Sequence, residues 1–302
     1  MAKAANARAW GLIEAPLDSS GRGRGEERAP EALRAAGLAE LFGARDSGAL
    51  IPPLRDAARD PGSGVVALAD LRRSSQALRE AVRASIQRGE RPLVLGGDCS
   101  LLPGAIAGAG DALGRIGLWF VDGHADYLDG GSSPTGEAAD MELAMLTGDG
   151  PALPVDLVEA EPLVRPGDVV VLGHRPASSH PDVALELERV PASVARLSAD
   201  EIAAEGATEV GERWEQELAA RGPAWLHLDL DVLDEAELPA VSYPQPRGLD
   251  WQSFSELARP FLASHALAGV SVADLNPDLD GDGSQARRVV RALAEALYPE
   301  SP

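Results

Sequence analysis

Ile116-Gly117-Leu118-Trp119-Phe120-Val121-Asp122-Gly123-His124-Ala125-Asp126 is an apolar run that ends in three potential metal ligands spaced two residues apart. A continuous apolar run marks a parallel strand covered on both faces, and such strands present functional groups at their carboxyl ends. On a strand, residues i and i+2 point to the same side, so Asp122, His124 and Asp126 are expected on one face. The pattern returns in Ala224 to Leu230, which carries Asp229 and is followed by Asp231 and Asp234, and another acid stands in Asp98-Cys99. Carboxylate and imidazole donors suit hard divalent ions such as Mn²⁺, and two ions roughly 3.5 to 4 Å apart can share a carboxylate and a water. A nucleophilic hydroxide is the expected consequence.

Outward from that strand, helices and strands alternate. Ala9 to Ile13 and Pro92 to Leu95 read as strands, as do Val169 to Leu172 and Gly269 to Leu275. Helices are expected from near Pro30, over Gln76 to Arg88, from Leu101, and over Thr208 to Ala220, Trp251 to Ser264 and Ser284 to Leu297. This alternation predicts a parallel sheet between helical layers. Ser178 to Ala207 is the least readable stretch, and Pro134, Pro181, Pro191 and the segment Tyr243 to Gly248 mark surface loops.

Composition narrows the classes. The 302 residues suit a single α/β domain over 1–302, with 45% hydrophobic content for its core. A formal net charge of −21 argues against nucleic-acid and anionic-membrane partners. No apolar run is long enough to span a bilayer, and the start of the chain reads as lacking an export signal. Cys99 is the one cysteine, so no intramolecular disulfide forms and a reducing, cytoplasmic location is expected. Lys3 is the one lysine, which leaves Schiff-base chemistry and a lysine-dependent phosphate loop without a residue; Gly21-Arg22-Gly23-Arg24-Gly25 also lacks the spacing.

Taken in order, Gly96-Gly97-Asp98-Cys99-Ser100, Asp122 to Asp126, Asp229 to Asp234 and Leu275-Asn276-Pro277 resemble the arginase, agmatinase and formimidoylglutamase family, the ureohydrolases. The resemblance implies an arginase/deacetylase-like fold, a three-layer αβα sandwich around a mostly parallel sheet of about eight strands. It also implies two Mn²⁺ ions per subunit, a small cationic substrate, hydrolysis of a C–N bond in a guanidino, hydroxyguanidino or formimino group, and a homo-oligomer, trimer or hexamer. On this reading Asp122 and Asp229 bridge the ions, Asp126 and Cys99 complete one, and His124 and Asp231 complete the other. Asp234 is expected to hold its turn through backbone hydrogen bonds, and His227 to support a ligand from behind.

Four departures from the family pattern stand out. Cys99 occupies the place of a usual histidine ligand, and its softer sulfur opens the site to Zn²⁺ or Fe²⁺, or to a single ion. The run Ser133 to Met141 lacks the family's proton-transferring histidine, which leaves Glu137 or Asp140 for that task. Asp274 stands where a glutamate often grips the guanidinium. The loops after Asp126 and Arg175 carry no recognisable amino-acid clamp, which makes arginine itself a doubtful substrate, and His174 is placed at the pocket. Two other readings compete: a catalytically impaired binding protein of the same fold, and a one-metal, deacetylase-like amide hydrolase using Asp122, His124 and Asp229.

Overall fold

The computed structural model of the chain describes residues 8–151 and 162–299; residues 1–7, part of the start read above for export, lie outside them. One sheet contains β1 (Trp10–Ala15), β2 (Arg45–Asp46), β3 (Arg91–Gly96), β4 (Gly117–Val121), β5 (Val169–His174), β6 (Ala195–Ser198), β7 (Ala224–Asp229) and β8 (Leu267–Ala273). The spatial order is β2-β1-β3-β8-β7-β4-β5-β6, and every pairing is parallel. The helices are α1 (Ala29–Ala35), α2 (Leu38–Phe42), α3 (Leu68–Gln87), α4 (Leu102–Leu113) and α5 (Glu142–Thr147), then α6 (Pro181–Arg189), α7 (Ala199–Glu205), α8 (Ala207–Ala219), α9 (Trp251–Ala263) and α10 (Ser284–Leu297). Among the described residues no helix is long and apolar enough to cross a membrane.

Alternation along each strand divides the core in two. Trp119 and Val121 of β4 face α8, α9 and α10, while Leu118 and Phe120 face α3, α4 and α5. Both faces are therefore covered, and the three-layer sandwich follows. Helix α3 begins eight residues before the expected Gln76, at Leu68, because its buried face includes Ser74, Ser75 and Ser85 and so hides the apolar period. In the least readable stretch, Pro181 is the first residue of α6, where its missing N–H is no loss, and not part of a loop as expected. Ser198 and Glu201 form a reciprocal capping box that starts α7.

The strand order has a direct consequence for chemistry. The central strands β3, β8, β7 and β4 are consecutive neighbours, so the loops after them meet at one edge of the sheet. Those four loops carry Cys99, Asp274, Asp231 and the segment Asp122 to Asp126, with Asp229 as the last residue of β7.

Candidate metal centre

Turn chemistry aims these side chains. Strand β4 ends at Val121, so Asp122, His124 and Asp126 lie beyond it and do not share a strand face as expected. Asp122 Oδ1 instead accepts the backbone N–H of His124 at 2.7 Å, and Asp229 Oδ1 accepts that of Asp231 at 2.6 Å. Each is an Asx turn, which consumes one oxygen locally and leaves the other to face the opposite loop. Asp126 and Asp274 both adopt left-handed backbone, with φ of 46° and 67°. Such conformations are costly for residues other than glycine and concentrate at functional sites.

The outcome is a dense set of donors. Those of Cys99, Asp122, His227 and Asp229 lie within 4.8 Å of one another, as do those of Cys99, Asp122, Asp126 and Glu142, and those of Asp122, His124 and Asp231. Cys99 Sγ is 2.7 Å from Asp229 Oδ2, 2.9 Å from Asp274 Oδ2 and 3.0 Å from His227 Nε2. His124 Nδ1 is 3.0 Å from Asp231 Oδ2. Among the described residues buried Asp122 Oδ2 meets no donor, and neither does either oxygen of buried Glu142, which faces Asp126 acid to acid. An unpaired buried carboxylate oxygen is expensive, and only protons or cations relieve two acids in contact. The donor set therefore fits divalent ions, with Asp122 common to all three donor groups and Asp229 in the group that holds Cys99 and His227.

Burial, and after it the neighbouring Asp231, pushes Asp122 up to about 8. Burial first, then repulsion from neighbouring acids, raises Asp126 and Asp229, and burial raises Asp274 against a hydrogen bond from Asp229. Burial opposes charge on His124, but Asp231 and Asp122 outweigh it and lift the imidazole to about 10. An unfolded chain releases its carboxyl protons near pH ~4, whereas the metal-free native protein retains them higher, so it holds more protons in between. The raised carboxyls lower its stability as pH rises from about 4 to about 8, and the His124 contribution, full below about 6.5, fades toward 10; His227, held to about 3 by burial, works the other way below about 6.5 but is one group against four carboxyls. The thermal midpoint of metal-free protein is expected to drop steadily between pH 5 and 8, and the gain on adding Mn²⁺ to grow over that range. A flat or rising metal-free profile contradicts this.

Around the centre, buried Arg175 gathers the carbonyls of Asp231, Val232, Leu233, Gln245 and Pro246 at 2.9 to 3.2 Å. It locks the loop that carries Asp231. Gly123 is required there, since a Cβ would stand 2.7 Å from both Arg175 Nη1 and Asp231 Oδ1. Asp234 accepts the N–H groups of Ala236, Arg247 and Gly248 and belongs to no donor cluster. Asp98 ties the loop after β3 to Ser19 N at 2.5 Å.

A cavity of about 370 Å³ opens above the donors and is lined by Asp126, Asp229, Asp231 and Asp274 together with Glu137 and Asp140. Glu137 Oε2 receives Arg24 Nη2 at 2.7 Å and the Tyr243 hydroxyl at 3.2 Å. Asp140 Oδ2 accepts from Ser133 and Thr135, both at 2.7 Å. His174, placed at the pocket from the sequence, is buried against the Arg175 carbonyl and does not line the cavity, because β5 runs on through it. His180 does line it, at an exposed position. Sequence reasoning missed Glu142, Glu186 and Arg24. Glu186 lines the wall and accepts Tyr127 N at 3.0 Å, while Arg24 arrives on a loop organised by Asp18, whose Oδ2 accepts Arg24 N at 2.8 Å.

The comparisons with known proteins agree with this geometry. The arginase from Bacillus caldovelox is 30% identical over 299 residues, covering 96% of this chain and 97% of that protein. The arginase of Bacillus subtilis strain 168 is 29% identical, over 95% and 96%. A crystal structure of Bacillus subtilis arginase superposes with a TM-score of 0.83 at 25% identity, over 98% of this chain and all of that one. The family model described as "Arginase family" matches residues 8–298, and together with the parallel sheet and the strand-end acids this match shows that the chain belongs to the arginase family, the ureohydrolases.

Proposed function

We propose that this protein hydrolyses the C–N bond of a linear guanidino compound at a pair of divalent ions, Mn²⁺ being the first candidate. The observation that carries the reading is the convergence of His124, Asp126, Asp229 and Asp231 in the lining of an acidic cavity with Cys99 and Asp122 buried against them. Divalent ions, when bound, supply Lewis-acid polarisation and a water acidified toward neutrality. The chain's own groups do the rest. Asp231 fixes the His124 ring, and Asp274 offers its carboxylate to the substrate's cationic group from the end of β8. Glu137 and Asp140, both of which line the cavity, are the acids we assign to take or return a proton at the departing nitrogen, and Asp140 Oδ1 has no partner among the described residues.

The walls point to a particular kind of guanidine. Arg24 lines the cavity but is already paired with Glu137, so a substrate carboxylate would find acids and no unpaired arginine among the described lining residues. Like charges brought together across a binding surface cost several kcal/mol. A guanidinoalkylamine is therefore expected to be turned over with a kcat/KM at least ~10-fold above that of arginine, about 1.4 kcal/mol. A Mn²⁺-loaded panel of arginine, N-hydroxyarginine, a guanidinoalkylamine and a formimino amino acid checks this. No hydrolysis of any member would defeat the functional reading, and a preference for arginine would defeat the substrate assignment alone.

A further inference from the structure

His227 lies in β7 two residues before Asp229, on the same strand face, and is fully buried. Its Nε2 points at Cys99 Sγ, 3.0 Å away, within the donor set completed by Asp122 and Asp229. Its Nδ1 is 2.8 Å from Ser271 Oγ, on the residue beside it in β8. The same hydroxyl accepts the indole N–H of Trp225 at 3.0 Å. A hydroxyl oxygen accepts twice, so Ser271 can receive both protons and hold the imidazole with hydrogen on Nδ1. The Nε2 lone pair then faces the cluster. An imidazole anchored through one nitrogen and open at the other is the arrangement that metal-binding histidines adopt. The Phe120 ring, 5.3 Å from the imidazole centroid, fixes its plane.

Cys99 by contrast has one proton and three acceptors in contact, His227 Nε2, Asp229 Oδ2 and Asp274 Oδ2. The remaining lone pairs are met either by a carboxyl proton of Asp229 or Asp274 or by a cation. Resting on the reading of this cluster as a divalent-ion site, we propose that His227 Nε2 is the nitrogen ligand of the ion beside Cys99. The imidazole that ureohydrolases usually carry on the loop after β3 is here delivered from β7. Cys99 and His227 form a matched pair: sulfur already stands 3.0 Å from Nε2, and a larger ring at position 99 would occupy the space that His227 fills. Cys99→His alone is thus expected to weaken ion binding, and Cys99→His with His227→Ser to restore it.

The direct test is the imidazole ¹⁵N spectrum of the whole protein, metal-free and with saturating Zn²⁺ as a diamagnetic probe. The chain has five histidines, so single substitutions assign every signal. The expected result is that His124 and His227 shift on loading while His174, His180 and His265 do not. A shift of His124 without His227 overturns the inference and leaves the metal site standing. If neither moves, both fall. In His227→Ala, bound Zn²⁺ is expected to drop from two equivalents to one, or affinity for the second to fall at least ~100-fold, since even outer partners of metal ligands are worth ~10- to 100-fold; unchanged binding overturns the assignment.

Discussion

Asp122→Asn lowers kcat/KM by at least ~10³-fold, about 4 kcal/mol of barrier, and at pH 8 leaves the metal-free protein as stable as the parent or more so. The two halves of that expectation have one cause. Asparagine keeps the shape and the oxygen that accepts His124 N at 2.7 Å. It removes the charge at Oδ2, the buried oxygen that meets no donor. In the metal-free protein that charge is a liability, because burial and Asp231 hold the carboxyl up to about 8. With ions present it is the group lying between the donor sets, and a neutral amide oxygen cannot replace a bridging carboxylate. Loss of activity together with a lower metal-free midpoint would mean that Asp122 serves the fold and not the site.

Arg175→Ala has the largest expected effect on stability, on the order of 4 kcal/mol or more by the cost of leaving buried acceptors unmatched. The five carbonyls it collects belong to the turns after β7 and before α9, and none of the described side chains nearby substitutes for it. Arg175→Lys should recover only part, since an ammonium cannot present a planar fork of donors. Denaturant midpoints measure the loss. The same variants should bind Mn²⁺ more weakly, because the turn they loosen carries Asp231, the partner of His124. An Arg175→Ala protein of parental stability would refute the clamp.

The strands of the centre were readable because burial on both faces leaves a plain signal. β4, β5, β7 and β8 are apolar runs, and each was expected within a few residues of its observed position. Edge strands lack that signal. β6 has Ser198 as its one buried residue, and β2 consists of exposed Arg45 and Asp46 alone, so neither was anticipated. The acids of the centre were visible through their spacing, but for an incomplete reason: local turns, and not strand alternation, bring Asp122 and Asp126 into place.

Residues contributed from elsewhere left no trace in the sequence. Glu142 reads as an ordinary first-turn acid of a short helix until the chain folds it against Asp126. Arg24 meets Tyr243 at 3.0 Å across 219 positions. Such partners depend on how loops cross the edge of the sheet, and periodicity carries no information about that.

Acids from the loop after β4 and from the end of β7 are expected to hold a shared pair of cations, and anomalous diffraction from crystals soaked in Mn²⁺ shows whether they do. Two peaks are expected roughly 3.5 to 4 Å apart, both within bonding distance of Asp122 or Asp229, with His124 and Asp231 on one and Cys99 with Asp126 or His227 on the other. A saturated crystal with no peak between Asp122 and Asp229 would contradict it.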